Sequence, residues 1–149
     1  MVDVGGKLST HRTAVAEAVV RMKPSTVRRL RRADLDKGDA LAVARVAGIS
    51  ASKKVADLIP LAHPLSLSHV ALNFDLDARA GMVRIEASVE CYGPTGVEME
   101  AMTSASVAAL NLYDMIKKTE RGATIECVRL LAKTGGTSGD YRRSGSAAS

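Results

Sequence analysis

Aromatic side chains are nearly missing from this chain, with one Phe, three Tyr and no Trp among 149 residues. A core made without large rings must come from Ala, Val, Leu, Ile and Met, which suits helices lying close against a sheet. Cysteine is equally sparse: there are two, with no C-x-x-C and no histidine cluster. Cys91 and Cys127 fall in apolar, strand-like stretches, so they read as reduced core thiols and not as a disulfide framework or metal site. No run approaches the roughly 20 apolar residues that a membrane span needs. The opening M-V-D-V-G-G-K offers no apolar segment for a signal peptide. The expected location is the cytoplasm.

What is present is ordinary globular material, 46% hydrophobic and 25% charged, long enough for one domain. The expected organisation is a single domain over residues 1–140 with a flexible tail over 141–149. A net charge of +5 suits nucleic acid, polyphosphate or another anionic ligand without choosing among them.

The periodicities predict the order β-α-α-β-β-α-β. Residues 1–11 carry glycines and read as loose. Val15, Val19 and Val20 mark a first strand over Thr13–Met22, although it alternates poorly. Pro24 opens a short basic helix, V-R-R-L-R-R. Gly38-Asp39 starts a second helix running to about Leu58, in which Ala44, Gly48 and Ser52 form a small-residue stripe. Pro60 and Pro64 keep I-P-L-A-H-P-L from being helical throughout. Two strands of period two follow, on Val70/Leu72/Phe74/Leu76 and Val83/Ile85/Ala87/Val89, joined by Ala80-Gly81. A long helix spans Thr95–Lys117, opened by a Thr95/Glu98 capping box and ended by Gly122. Thr124–Lys133 is the last strand, and Thr134–Gly139 is a flexible loop. This is an α+β, ferredoxin-like sandwich: a four-stranded antiparallel sheet with helices packed on one face.

The long helix is largely apolar, yet it carries Glu98, Glu100, Asp114 and Lys117. Asp114 and Lys117 are three residues apart on one face, and the bland reading is a surface ion pair worth ~0.2–0.5 kcal/mol. Against it, an acid at the negative end of the helix dipole is unfavourable, and the neighbouring residues are mostly apolar. A dry setting would move either group toward neutrality, as acid–base chemistry wants. Glu98 is half explained by capping, whereas Glu100 is not. Glu100 lies some 14 residues from Asp114, about 21 Å along the axis at ~1.5 Å per residue. If both serve one ligand, a neighbouring chain must bring in its other helix end. His63 sits between Pro60 and Pro64, which present it rigidly; most lone histidines are nonetheless structural. Lys37, Lys53, Lys54 and Lys133 read first as solvated, although Lys37-Gly38-Asp39 opens a helix where free amides favour an anion. G-G-T-S-G after Lys133 is not a P-loop. Arg28-Arg29-Leu30-Arg31-Arg32 reads as a solvated face first and a phosphate-contacting patch second.

Five motifs together are specific: K-G-D at Lys37, D-L-I-P-L-x-H-P-L at Asp57–Leu65, T-G-V-E-M-E-A at Thr95–Ala101, Y-D-M at Tyr113–Met115, and R-L-L-A-K-x-G-G at Arg129–Gly136. In these the chain resembles the cyclic pyranopterin monophosphate synthase family of molybdenum cofactor biosynthesis, over nearly its whole length. The resemblance implies conversion of 3′,8-cyclo-7,8-dihydroguanosine triphosphate to cyclic pyranopterin monophosphate and pyrophosphate. It also implies a ferredoxin-like subunit in a hexamer, a trimer of dimers, with sites at subunit interfaces. Asp114 and Lys117 fall on the family's catalytic aspartate and lysine. Leu61, Ala62, His63, Met99 and Glu100 fall on its substrate-contacting segments, and Lys37, Lys53 and Lys133 on lysines lining its pocket. Where the family commonly has Cys before the motif histidine, this chain has Ala62, so no thiol acts there. The chain begins almost at V-D-V, without the short leader of some relatives. No cofactor and no dedicated metal cage are expected, although a divalent ion such as Mg could accompany the triphosphate. The rival reading is a basic anion- or RNA-binding module without catalysis. Phe74 and Tyr92 are the sheet's candidate stacking residues, and Phe74 points with the apolar face.

Overall fold

A computed structural model describes residues 1–144. In chain order it contains β1 (Thr10–Arg21), α1 (Pro24–Arg31), α2 (Ala40–Ser52), α3 (Val55–Leu58), β2 (Leu67–Asp77), β3 (Met82–Gly93), α4 (Glu98–Ile116), β4 (Thr124–Thr134) and β5 (Tyr141–Arg142). All pairings are antiparallel and the sheet order is β2-β3-β1-β4-β5. The architecture is the expected ferredoxin-like α+β sandwich, with helices on one face. The sheet has five strands and not four, because Tyr141 and Arg142 pair with Lys133 and Ala132. Those two residues open the segment read as a tail; residues 145–149 of it lie outside the described residues.

The poor alternation of β1 has a physical cause: as the central strand it is covered on both faces. Ala14, Ala16, Ala18 and Val20 face the helices and are fully buried. On the opposite face Glu17 is only 2% exposed, because Arg129 pairs with its carboxyl and Arg84 Nε lies 3.5 Å away. A buried carboxyl persists only when it is compensated in this way. Cys127 pairs in register with Val19, while Cys91 is buried among the core residues; both thiols are free.

The scarcity of rings decides how α4 sits. Ala101, Ala105, Ala108 and Ala109 are fully buried, so the helix lies close to the alanine row of β1. Gly48 of the small-residue stripe lets α2 approach just as closely: a Cβ there would meet Leu72 Cδ2 at 2.6 Å and the Ser104 carbonyl oxygen at 2.9 Å.

Four boundaries differ from expectation. The second helix stops at Ser52, whose hydroxyl donates to the Ile49 carbonyl while Lys54 N–H turns back to Ala51. The four-residue α3 follows, so the segment to Leu58 is broken although no Gly or Pro breaks it. The capping box does not form. The long helix starts at Glu98 behind Val97 with no side-chain cap, because the Glu98 carboxylate is taken by Lys133 at 3.1 Å. The helix ends at Ile116 with Lys117 as its cap, ahead of Gly122. Residues 1–11 are not loose throughout: Asp3 accepts from Gly5 N–H, Lys7 N–H closes on Val4, and Thr10 and His11 already belong to β1.

Candidate functional site

The two ends of α4 each gather part of the expected site. At the C-terminal end, Lys117 Nζ lies 2.7 Å from Asp114 Oδ1. Lys37 Nζ lies 2.7 Å from Oδ2 and also donates to the Asp114 main-chain carbonyl at 2.9 Å. Lys37 therefore pairs with the acid and at the same time satisfies a carbonyl in the last turn of α4, where helices lack partners. It reaches there from the turn before α2, whose Gly38 has φ +91° and whose Asp39 caps α2 by accepting from Leu41 and Ala42 N–H.

The charges in this cluster are not poised near neutrality. Lys117 first, then Lys37, hold the Asp114 carboxyl down to about 2, and Asp114 in turn raises Lys117. The expected dry setting is not found in the single chain, where the Asp114 and Lys117 side chains are 48% and 52% exposed. The folded value lies below the ordinary ~3.9 of an unfolded aspartate. Whatever the pair adds to stability is therefore complete above that pH and lost as pH falls through about 2. Lys37→Met removes one of the two ammonium groups and should move the Asp114 midpoint up toward ~3.9; a carboxyl-carbon NMR titration reads it directly. An unmoved midpoint would show that Lys37 does not bind the acid in solution.

At the N-terminal end, Leu61, Ala62, His63, Met99 and Glu100 line one cavity of about 590 Å³. Pro60 and Pro64 deliver the first three in a turn-and-extended segment, and the first turn of α4 delivers the others. Glu100 is 4% exposed, and burial, with Glu98 adding like charge, pushes its carboxyl pKa up. Lys133 is joined to this end through Glu98. Lys53, at the end of α2, is exposed and makes no side-chain bond among the described residues, so neither cluster holds it. The separation along α4 stands: about 14 residues, or ~21 Å, divide Glu100 from Asp114.

Sequence reasoning missed several contributors. Met1, Val2, Val4 and Lys7 form one wall of the cavity; the V-D-V motif was the available signal. Arg12 is buried and donates to the Gly93 and Pro94 carbonyls at 3.3 and 3.1 Å. Gly136, at φ +86°, packs under its guanidinium, and a Cβ on Gly135, at φ +87°, would run into the His11 carbonyl oxygen. One arginine thus ties the loop before α4 to the glycine loop after Lys133, which explains the G-G in structural terms. Among the described residues no three His, Cys, Asp or Glu side chains gather as metal ligands would, and no helix is long and apolar enough to cross a membrane.

Of the two candidate stacking rings, one is closed to a base. Arg45 covers Phe74 at 5.2 Å from the ring centroid, leaving Tyr92, which is 72% exposed.

Residues 1–136 match the MoaC family. The cyclic pyranopterin monophosphate synthase of Roseiflexus sp. strain RS-1 is 55% identical over 141 residues, covering 95% of this chain and 89% of that protein. The protein of the same name from Geobacter sulfurreducens is 54% identical over 143 residues, covering 96% and 89%. That of Chloroflexus aggregans is 52% identical over 147 residues, covering 99% and 89%.

Proposed function

The chain belongs to the MoaC family, and from that premise we propose that it acts as a cyclic pyranopterin monophosphate synthase in molybdenum cofactor biosynthesis. The substrate is 3′,8-cyclo-7,8-dihydroguanosine triphosphate; the products are cyclic pyranopterin monophosphate and pyrophosphate. The observation that carries this reading is the Lys117–Asp114–Lys37 cluster, two ammonium groups converging on one carboxylate within 2.7 Å in a chain so closely related to named synthases.

Opening the purine's five-membered ring and closing the pyranopterin require proton transfers. Lys117 enters the reaction protonated, since its pKa is raised, so its first act is to donate. Asp114 enters ionised and orients the ammonium, and its attraction returns a proton to Lys117 once the amine has given one up. Lys37, Lys53 and Lys133 bind the triphosphate and stabilise the charge that spreads as the α-phosphorus is attacked and pyrophosphate leaves. Lys37 and Lys133 are already held by carboxylates, so the triphosphate replaces one set of anionic partners with another. A divalent ion, if one takes part, arrives with the triphosphate.

The separation along α4 supports an oligomeric site. In this reading the cavity end of one protomer, with His63 and Glu100, faces the Asp114 end of another within a cytoplasmic hexamer. Exposed apolar residues on the outer helical layer (Val43, Val46 and Leu110) give copies of the chain a reason to associate.

The test is incubation of the purified protein with the cyclised GTP intermediate. One pyrophosphate per pterin formed is expected. Absence of both from folded, oligomeric protein would reject the reading.

A further inference from the structure

The catalytic assignment rests on Lys117, and each of the three residues that follow it is bonded to a segment distant in sequence. Glu120 is 9% exposed. Its carboxyl oxygens accept from the main-chain N–H of Lys23 at 3.1 and 3.0 Å and from the hydroxyl of buried Thr26 at 2.6 Å. Lys23 is the N-cap of α1 and offers no side-chain cap of its own. Glu120 therefore does for α1 what the glutamate of a capping box does, accepting from the N-cap N–H, with its acid placed at the positive end of the α1 dipole.

The rest of the turn is bound to the same helix. Arg29 of α1 donates to Thr119 Oγ1 at 3.2 Å and to the Asp34 carbonyl at 2.8 Å, and lies 3.8 Å from the Asp36 carboxylate. Lys118 closes on Asp36 at 2.9 Å. The loop that Arg29 and Lys118 hold is the one that carries Lys37, and it opens with Ala33 at φ +51°, a conformation that a non-glycine residue keeps only when its surroundings impose it. Helix α1 thus grips both segments that reach Asp114: the turn bearing Lys117 and the loop bearing Lys37.

We propose that α1 is the frame that sets the Lys117–Asp114–Lys37 geometry, and that Glu120 is the positioning residue at its centre. Glu120 does not touch the reacting atoms. It acts by fixing where the chain leaves α4, and hence where the Lys117 ammonium stands relative to the carboxylate. Arg29, read from the sequence as part of a solvated basic face, is the second member of the frame. The inference rests on the proposed function for its catalytic meaning, but its geometric content can be read without substrate.

The experiment compares Glu120→Ala, Glu120→Gln and wild type in two measurements. In the first, kcat for the cyclised nucleotide should fall about tenfold in Glu120→Ala with KM changed by less than about twofold, since misplacement of a catalytic group acts on the chemical step. Gln, which keeps one acceptor oxygen, should recover most of the loss. In the second, the Asp114 midpoint, about 2 in the intact cluster, should climb toward ~3.9 in Glu120→Ala. If Glu120→Ala does not fold, Arg29→Met removes the second tether from the surface and should give both effects in smaller measure. A folded variant with wild-type kcat and an unmoved midpoint overturns the proposal. A midpoint that moves in protein whose wild type shows no turnover keeps the positioning role and rejects the enzymatic reading.

Discussion

Lys117→Ala is expected to lower kcat for pyrophosphate release by about 10²–10⁴-fold, the range of a lost general acid or base, while leaving the fold and assembly intact. The unchanged fold follows from exposure in the single chain. With both side chains about half in water, solvent already screens the attraction, and exposed pairs of this kind add little to stability. A thermal unfolding curve that superimposes on wild type, together with collapsed turnover, is the signature sought. Near-normal turnover would remove Lys117 from the mechanism. Lys117→Arg is a useful companion: it keeps the charge and the contact to Asp114 but gives up a proton far less readily. It should bind substrate and remain slow.

Co-assembly of two inactive variants should restore activity. Glu100→Gln disables the cavity end of α4 and Asp114→Asn the other end, and each homo-oligomer is expected to be inactive. If a site takes one end from each of two protomers, random co-assembly leaves some sites with both intact ends. The yield is about a quarter of wild-type turnover, from the independent odds that each contributing end is intact in a symmetric oligomer. The variants should be co-expressed with different tags so that mixed assemblies can be isolated. Inactivity of such mixed assemblies would mean that the ~21 Å between the two ends is not bridged by a neighbour. Their mass in solution, measured in the same samples, counts the protomers.

Much of the fold was legible because it rests on local rules. Strands β2 and β3 showed period two, since one face of that hairpin meets the helices and the other does not, and the Ala80-Gly81 turn follows from chain stereochemistry. Gly38-Asp39 marked the start of α2, and the stripe of Ala44, Gly48 and Ser52 announced a close helix contact. Strand β1 was blurred for the opposite reason: Glu17 is buried by Arg129 and Arg84 from neighbouring strands, and no window of consecutive residues contains that information. The failed Thr95/Glu98 capping box has a similar origin. Glu98 had the right spacing, but an ammonium from β4 competes for it. The two-residue β5 escaped notice because so short a strand carries no period, and it rests on the edge offered by β4.

The candidate site divides along the same line. Residue identities alone gave Asp114 and Lys117 as a helical pair, His63 between prolines, and Glu100 out of reach at the other end of one rigid helix; a fixed rise per residue suffices for that. What the sequence could not supply was the arrival of Lys37, the wall that Met1, Val2, Val4 and Lys7 give the cavity, or the hold of α1 on the turn after Lys117. These join segments up to 97 positions apart. Such contacts form only once packing of the alanine-lined helices against the sheet has brought distant segments within hydrogen-bond reach. Periodicity and spacing are properties of neighbours along the chain, while the electrostatics of this site belong to neighbours in space.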